Sequence, residues 1–413
     1  MQNSCQAARM NLPVVQLKPG KDVPLRAGHP WIFSLAIQKE DTHLAPGSCV
    51  RVVDNSDRPL GIGTYNPLTN IRVRLLTRDV NEAIDAPFFE TRFAQLDTWK
   101  RGHLPEKTNG YRLVHAEADG LPGLIIDRYA NVFVFQLHTA GMELLRDLII
   151  EALQNTFQPD AIMERSDVEA RGQEGLHDRP IKLHRGIVDG QVAFQEHGLT
   201  FFADVLKGQK TGFFLDQRDA RHALATYARD KHIVNLFSYT GAFSVHALQG
   251  GATSVTSVDL SRSALELAQQ QIKANGFDPE DEKRCTFLQA DVMDLLNDER
   301  SLSGTSPDII VCDPPAFAKH REQTAQAIKA YTDLNMRCLK RLQVGGILMT
   351  SSCSGRISAE DFRSLLRIAA GRAGRDVRLL EWIDQPIDHA ERLAFPEGRY
   401  LKTAILEVTE ILA

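Results

Sequence analysis

The residues with the clearest chemical potential follow two apolar runs of the chain. Asp313-Pro314-Pro315 follows the run DIIVC, and Cys353 follows the run GILMTSS. A cysteine thiolate is a nucleophile, and two prolines restrict the backbone enough to hold Asp313 in place. Phe317 offers an aromatic face on which a base could stack. The alternatives are a purely structural proline turn and a buried, inert cysteine.

Cys353 is the predicted nucleophile. Ser358 is expected to cap a following helix, and the backbone donors there, together with Arg356, could favour the thiolate. Cys312 is the rival thiol, but strand alternation turns it away from the face of Asp313, which favours burial. The six cysteines of the chain show no CxxC pair and no metal-ligand spacing. We therefore expect reduced thiols and no metal site.

A parallel sheet is needed to bring these positions together. From residue 216 onward, apolar runs typical of strands alternate with helical patterns, which predicts a doubly wound α/β sheet with helices on both faces. The predicted strands are 232–237, 254–260, 285–291, 308–314 and 346–353. The predicted helices are about 242–250, 261–275, 292–299 and 320–342. Two further strands, within 377–383 and 400–408, are expected to pair antiparallel.

The other strand ends carry a second set of candidates. Ligands of such sheets bind at the carboxyl ends of the strands, where Gly241, Asp259 and Asp291 fall. Asp259 can accept hydrogen bonds from ribose hydroxyls, and Asp291 can accept one from an adenine amino group. The first strand lacks a GxGxxG sequence, so the pattern predicts a nucleoside pocket without a pyrophosphate cradle. Either aspartate could instead cap a helix, and for Asp291 the two interpretations weigh equally.

The N-terminal half predicts two smaller domains. Short β-branched runs and turns over 13–77 are typical of a small β-barrel. A helix at about 86–101, strands within 111–138, a helix at about 141–156 and a strand at 159–165 follow. We therefore predict a barrel over 11–78, a small α+β domain over 79–190 and the doubly wound domain over 191–413.

Composition excludes several classes of protein. The chain has 413 residues, 43% hydrophobic and 24% charged, which is typical of folded globular domains and not of disordered or fibrous chains. No run approaches the ~18 apolar residues of a membrane span, and the first residues lack a secretory apolar core. A cytoplasmic location is the expectation. A small local excess of Lys and Arg near the N-terminus hints at a polyanionic partner, although a solvated charged face is an alternative.

The motifs as a series resemble a known family. The order FSYTGAF, VDLS, QAD, DPPAF and SSCSG, between TGFFLDQR and FPEGRYLK, resembles class I S-adenosylmethionine-dependent RNA methyltransferases. It is most similar to the ribosomal large subunit methyltransferase I family, which makes 5-methylcytidine in 23S ribosomal RNA. GHPWIF and the barrel around it are similar to that family's N-terminal PUA domain, an RNA-binding module. The resemblance covers nearly the whole chain.

The resemblance implies a role for each matching position. S-adenosylmethionine would bind against the segment after the first strand, with Asp259 on the ribose, Asp291 on the adenine and Arg218 at the carboxylate. Gln217 belongs to the segment that closes over the cofactor. The implied cofactor-binding residues are Arg218, Phe237, Ser238, Tyr239, Gly241, Phe243, Asp259, Ser261, Asp291 and Asp313.

The resemblance also implies a mechanism. Cys353 would attack C6 of a cytosine flipped out of its stack, with Asp313 on N3 and with Phe317, Pro314 and Pro315 at the RNA. His389 is a guess for the group that removes the C5 proton, and a capping or surface histidine is the alternative. Many RNA cytosine methyltransferases carry a second cysteine three residues after the strand-four aspartate, where this chain has Ala316. Product release could then not use a thiol at that position.

Two other functions stay open on sequence grounds. A methyltransferase acting on a ring or exocyclic nitrogen, such as one methylating guanine, also places an aspartate and prolines after strand four and needs no thiol. An RNA-binding ribosome-assembly protein could keep an unused nucleotide pocket. Large-subunit ribosomal RNA is the expected partner, no membrane is expected, and a homodimer is possible.

Overall fold

The computed structural model describes residues 12–41, 43–177, 179–298, 307–317 and 323–412. These residues form two compact units. The first contains the described residues up to Gly198 together with Ala203–Leu215 and Ile387–Gly398. The second contains Leu199–Phe202, Asp216–Pro386 and the chain from Arg399 onward.

The first unit begins with a six-stranded sheet where the sequence predicts a small barrel. Its elements are β1 (Val14–Leu17), α1 (Val23–Arg26), β2 (Trp31–Phe33), β3 (Ile37–Glu40), β4 (Cys49–Val53), β5 (Pro59–Tyr65) and β6 (Ile71–Thr77). The strand order is β2-β6-β5-β4-β1-β3. Val50 and Val52, two residues apart on β4, are both fully buried, as one face of a strand that covers a core should be.

An α+β arrangement follows in the same unit. Its elements are α2 (Ala86–His103), β7 (Gly110–His115), β8 (Leu124–Tyr129), β9 (Val132–Leu137), α3 (Ala140–Leu144), α4 (Arg146–Phe157), β10 (Ala161–Glu164), α5 (Ala170–Gln173) and β11 (Lys182–Gly186). The sheet order is β11-β10-β9-β8-β7. The single helix predicted at 141–156 is wrong in one respect, because Leu145 has non-helical dihedral angles (φ −94°, ψ 5°) and separates two helices. Leu145 itself is buried in the core.

The second unit contains the predicted doubly wound sheet. β12 (Gln191–Glu196) and β13 (Leu199–Asp204) come first in the chain and form a two-stranded sheet. The elements that follow are α6 (Arg218–Tyr227), β14 (His232–Leu236), α7 (Ala242–Gln249), β15 (Ser254–Asp259), α8 (Arg262–Ala274), β16 (Cys285–Gln289), α9 (Val292–Asn297), β17 (Ile309–Cys312), α10 (Thr324–Lys340), β18 (Ile347–Ser352), α11 (Ala359–Ala373), β19 (Arg375–Asp384) and β20 (Lys402–Ile411). Residue 299 and residues 320–322 of the predicted helices lie outside the described residues.

The order of strands in this sheet is β16-β15-β14-β17-β18-β20-β19. The first five are parallel, and β20 pairs antiparallel with both of its neighbours. This confirms the α/β fold and the antiparallel pair at its end. Alternating strands and helices produce a parallel sheet because each helix carries the chain back to the end of the sheet at which the previous strand began.

The structure bears on two expectations from the sequence, the lack of a membrane-spanning helix and the reduced state of the cysteines. None of the helices within the described ranges is both long and apolar enough to cross a membrane. Cys5 lies outside the described residues. Cys49 is disulfide-bonded, so the expectation of reduced thiols throughout is wrong at this position. The remaining cysteines are free: Cys285, Cys312, Cys338 and Cys353.

Candidate active site

The candidate site lies at the carboxyl ends of the parallel strands. The chain winds outward in one direction from β14 through β15 to β16 and in the other from β17 to β18. The point where the direction reverses, between β14 and β17, is where open α/β sheets bind ligands. Every predicted site residue in the second unit that follows a strand falls at this edge.

The segment after β14 is a tight turn with a fixed shape. Phe237, Tyr239 and Gly241 all have positive φ, of 56°, 46° and 74°. The backbone NH of Tyr239 donates to Asp259 Oδ2 at 2.8 Å. A Cβ on Gly241 would lie 2.6 Å from the Cβ of Ala268 on α8, so glycine is required by packing as well as by φ. The backbone here can therefore approach a ligand closely.

Asp259 is held in place by the backbone around it. Besides accepting from Tyr239, its Oδ1 accepts from the NH of Ser261 at 2.8 Å. Ser261 in turn caps α8, with Oγ accepting from Ala264 NH at 3.3 Å. Each carboxylate oxygen has a second lone pair, so Asp259 can still accept from hydroxyl groups of a ligand.

Asp291 is a helix cap, which is one of the two interpretations that the sequence allowed. Its Oδ1 accepts from the NH groups of Met293 at 2.8 Å and Asp294 at 3.1 Å, at the start of α9. The residue is exposed at the end of the β16 segment. Its contact with an adenine stays a prediction.

The turn after β14 also contains a polar atom that has no partner. Ser238 is buried, and its Oγ makes no hydrogen bond with any of the residues described. Leaving a buried hydroxyl unsatisfied costs about 1–3 kcal/mol, so a ligand that bonds it would recover that energy. Phe243 lies in α7 beside this turn and is 7% exposed. An orphaned donor beside a close backbone approach fits a bound nucleoside.

Asp313 is oriented by a glutamine from the segment that precedes the core. Gln217 is buried, and its Nε2 donates to Asp313 Oδ1 at 2.8 Å. Arg218 is fully buried at the first position of α6 and lies 3.8 Å from the carboxylate of Asp219. The segment predicted to close over a cofactor thus reaches the strand-four aspartate.

The two prolines after Asp313 turn the chain out of the sheet. Pro314 is buried and Pro315 is exposed. Phe317 is half-buried and packs against Tyr331 of α10, with ring centroids 4.7 Å apart and planes inclined at 54°. Tyr331 therefore fixes the direction of Phe317. Stacking of a base on the remaining face of Phe317 stays a prediction.

Cys353 follows the last residue of β18 and is a half-buried cysteine that forms no disulfide bond. Its strand is the parallel neighbour of β17, with Cys312 opposite Thr350 in the register. Burial raises the pKa of the Tyr331 phenol, and negative charge at Cys353 and at Asp313 raises it further. Both predicted catalytic groups are thus within electrostatic range of one tyrosine.

Cys312 has the opposite environment. It is fully buried inside β17. A hydrogen bond with Cys338 raises the pKa of its thiol well above the usual range, and burial raises it further. The prediction that this rival thiol faces the core is confirmed.

Several residues near the site were missed in the sequence. Tyr331 is a buried helical aromatic, and Lys402 is a buried lysine on β20 whose Nζ donates to the carbonyl of Ser354 at 2.7 Å. Tyr331 falls within the helix predicted at about 320–342, but the sequence gives no sign that it contacts Phe317. Lys402 could have been found only from the pairing of β20 with β18.

His389 does not lie in the same unit as these residues. It belongs to the first unit, where it is 1% exposed. Its Nδ1 lies 3.2 Å from Asp388 Oδ1, and its ring centroid lies 5.2 Å from that of His115. It is a buried histidine and not one at the surface. In the part of the chain that the structure describes, no group of three or more His, Cys, Asp and Glu residues could hold a metal ion.

Comparison with family models matches two parts of the chain. Residues 15–78 match a PUA-like domain, and residues 187–391 match an S-adenosylmethionine-dependent methyltransferase domain. The N-terminal sheet and the doubly wound sheet described above therefore correspond to the two modules that the sequence motifs predict.

Solved structures share the fold. A proposed SAM-dependent methyltransferase from Streptococcus mutans superposes with a TM-score of 0.78 at 23% identity, covering 96% of this chain and 100% of that one. A second proposed methyltransferase, solved in complex with SAH, superposes with a TM-score of 0.80 at 24% identity, over 96% and 99% of the two chains.

Relatives at higher identity carry one name. The Ribosomal RNA large subunit methyltransferase I of Klebsiella pneumoniae is 43% identical over 94% of this chain and 97% of its own length. The protein of the same name from Aliivibrio fischeri is 42% identical over the same shares. The chain belongs to the ribosomal RNA large subunit methyltransferase I family, whose members depend on S-adenosylmethionine.

Proposed function

We propose that this protein methylates C5 of a cytidine in the ribosomal RNA of the large subunit, with Cys353 as nucleophile and Asp313 as its partner at the ring. Family membership supports a SAM-dependent ribosomal RNA methyltransferase. The position of one thiol supports the choice of cytosine C5. Cys353 is half-buried at the ligand-binding edge of the sheet, whereas Cys285, Cys312 and Cys338 are buried.

The residues after β14, β15 and β16 suit the methyl donor. Asp259 would accept from the ribose, Asp291 from the adenine, and the buried Oγ of Ser238 would gain a partner on binding. Arg218 would face the carboxylate of the amino acid portion. S-adenosylmethionine, when bound, supplies the methyl group as an electrophile. The other members of the proposed set are Phe237, Tyr239, Gly241, Phe243, Ser261 and Asp313.

The thiol is needed because C5 of cytosine is too weak a nucleophile to take a methyl group unaided. In the proposed sequence the Cys353 thiolate adds to C6, which places electron density on C5 and N3. In its protonated form Asp313, oriented by Gln217, donates a hydrogen bond to N3 and stabilises that charge. C5 takes the methyl group, a base or water removes the C5 proton, and the Cys353–C6 bond breaks to return the thiolate. The products are 5-methylcytidine, S-adenosylhomocysteine and one proton.

The target base must leave its stack to reach this edge of the sheet. Phe317, braced by Tyr331, is the proposed platform, with Pro314 and Pro315 at the same turn. The PUA-like residues 15–78 would bind RNA. We extend the proposal to a cytoplasmic location, a possible homodimer and three domains, over 11–78, 79–190 and 191–413.

Mass spectrometry of 23S ribosomal RNA fragments tests this proposal. RNA from a strain lacking the protein is treated with purified protein and S-adenosylmethionine, and every methylated fragment is sequenced. We expect one added methyl group, at C5 of a cytidine. A methyl group on a guanine nitrogen would favour a nitrogen methyltransferase. No transfer, together with no calorimetric binding of S-adenosylmethionine at millimolar concentration, would favour an assembly protein.

A further inference from the structure

Lys402, the first residue of β20, is bound to the loop that carries Cys353. It lies opposite Ser352, the last residue of β18, in the antiparallel register. The side chain is 3% exposed. Its Nζ donates to the carbonyl oxygen of Ser354 at 2.7 Å and also to that of Ile357. The ammonium therefore joins both sides of the turn that leads from β18 into α11.

The charge of Lys402 has no obvious counterpart. Within the ranges that the structure describes, Lys402 forms no ion pair with a carboxylate at 4.0 Å or less. Burying an ammonium is costly unless an anion pairs with it, whereas a neutral amide could bond two carbonyls without that cost. Clamping the loop alone therefore does not explain why the group is charged.

The neighbouring groups indicate which anion it faces. Burial lowers the pKa of Lys402 to about 8, and negative charge at Cys353 opposes this more strongly than Asp384 or Asp361 does. Asp384, opposite Lys402 on β19, already accepts from Trp382 Nε1 at 3.2 Å. A thiolate at Cys353 is thus the strongest attractive charge acting on this ammonium.

The other groups around the thiol do not favour an anion. Tyr331 on α10 is within electrostatic range of both Cys353 and Asp313. Neither side chain carries a positive charge. Arg356 lies in the same loop but is exposed, where solvent and salt screen its charge. Among the groups named around Cys353, Lys402 is therefore the one that is both buried and positively charged.

We infer that Lys402 is a positioning residue, whose buried ammonium holds the loop of Cys353 and stabilises the thiolate form of that cysteine. The inference rests on the nucleophilic role proposed for Cys353. Opposite charges attract strongly where solvent is excluded, and a neighbouring lysine is a known means of lowering the pKa of a thiol.

The rate of alkylation of Cys353 by iodoacetamide tests the inference without RNA or cofactor. Full-length wild type, Lys402→Met, Lys402→Gln and Lys402→Arg are labelled from pH 6 to 10, and the Cys353 peptide is quantified by mass spectrometry. Lys340→Met removes one charge from the exposed end of α10 and is the matched control. Thermal melting shows which variants fold.

We expect the midpoint of Cys353 alkylation to rise by about one pH unit in Lys402→Met and Lys402→Gln and to stay unchanged in Lys402→Arg and Lys340→Met. Because one pKa unit changes the thiolate fraction tenfold, methylation by the neutral variants should fall about tenfold at pH 7 and recover near pH 9. If Lys402→Met does not fold, the inference is tested on Lys402→Gln, which is also neutral but keeps hydrogen-bond donors. An unchanged midpoint in a folded neutral variant, or an activity loss equal at every pH, would overturn the inference.

The same set of proteins separates this inference from the proposed function. If Cys353→Ala still methylates RNA, Cys353 is not the nucleophile and the proposed mechanism is refuted. The alkylation midpoints of the Lys402 variants are measured separately and do not depend on that result. A shifted midpoint with an inactive Cys353→Ala supports both.

Discussion

Cys312, the last residue of β17, and Cys353, just beyond the end of the neighbouring strand β18, differ in almost every property that governs the reactivity of a thiol. Cys312 lies within β17, fully buried and hydrogen-bonded to Cys338, and its pKa is raised well above the usual range. Cys353 lies one residue beyond the end of β18, half-buried, in a loop that Lys402 holds.

The difference arises from the position of each residue along its strand. A residue inside a strand that is covered on both faces is surrounded by apolar side chains, which disfavour a thiolate. A residue just past the carboxyl end meets backbone donors, a helix N-terminus and a ligand. The same side chain thus serves packing in one place and is available for chemistry a few residues beyond a strand end.

Replacing each cysteine by alanine gives the largest expected contrast. Cys353→Ala should reduce methylation of 23S ribosomal RNA by at least about 10⁴-fold, the scale on which enzymes depend on a nucleophile. Cys312→Ala should keep the turnover within about threefold, because it removes one buried sulfur and no catalytic group. Tritium transfer from labelled S-adenosylmethionine measures both. Equal losses in the two variants would remove the distinction between the thiols.

Asp313 directly follows Cys312 in the chain but has a predicted catalytic role that Cys312 lacks. Asp313→Asn should lower kcat about 100-fold, because the acid proton that Asp313, oriented by Gln217, offers to N3 is lost. Asp278→Asn, at an exposed turn, is the control for removal of one carboxylate. Single-turnover methylation at saturating S-adenosylmethionine provides the measurement. An Asp313→Asn variant as fast as the control would exclude a role at the ring.

Serine substitutions should affect the free energy of unfolding more at Cys312 than at Cys353, the reverse of the order expected for activity. Cys312→Ser should lower the free energy of unfolding by about 1–3 kcal/mol, since it places a hydroxyl in an apolar core. Cys353→Ser should change it by less than about 0.5 kcal/mol, because the position is partly open to solvent. Urea denaturation followed by fluorescence determines both values. A larger loss at Cys353 than at Cys312 would show that we have assigned the two environments wrongly.

The order of strands and helices along the second unit could be predicted from the sequence because a polar residue or a turn marks each strand end. Predicted strands 285–291, 308–314 and 346–353 overran the observed β16, β17 and β18 by one or two residues at their carboxyl ends. Asp291, Asp313 and Cys353 have left the strand, which is what makes them available at the edge.

Contacts between distant segments could not be predicted from one sequence. The bond of Gln217 to Asp313 joins residues 96 positions apart, and that of Lys402 to Ser354 joins residues 48 apart. No local pattern encodes either. The two-helix division at Leu145 was missed for another reason, since the apolar periodicity continues through it.

A covalent trap shows whether Cys353 bonds to C6 of the target cytidine. RNA in which the target cytidine carries fluorine at C5 is incubated with the protein and S-adenosylmethionine. Because fluorine replaces the proton that must leave C5, the bond from the enzyme to C6 cannot break. We predict a stable RNA–protein adduct whose crosslinked peptide contains Cys353, and none with Cys353→Ser. Methylation of this RNA without an adduct, or an adduct at Cys312, would show that Cys353 is not the nucleophile.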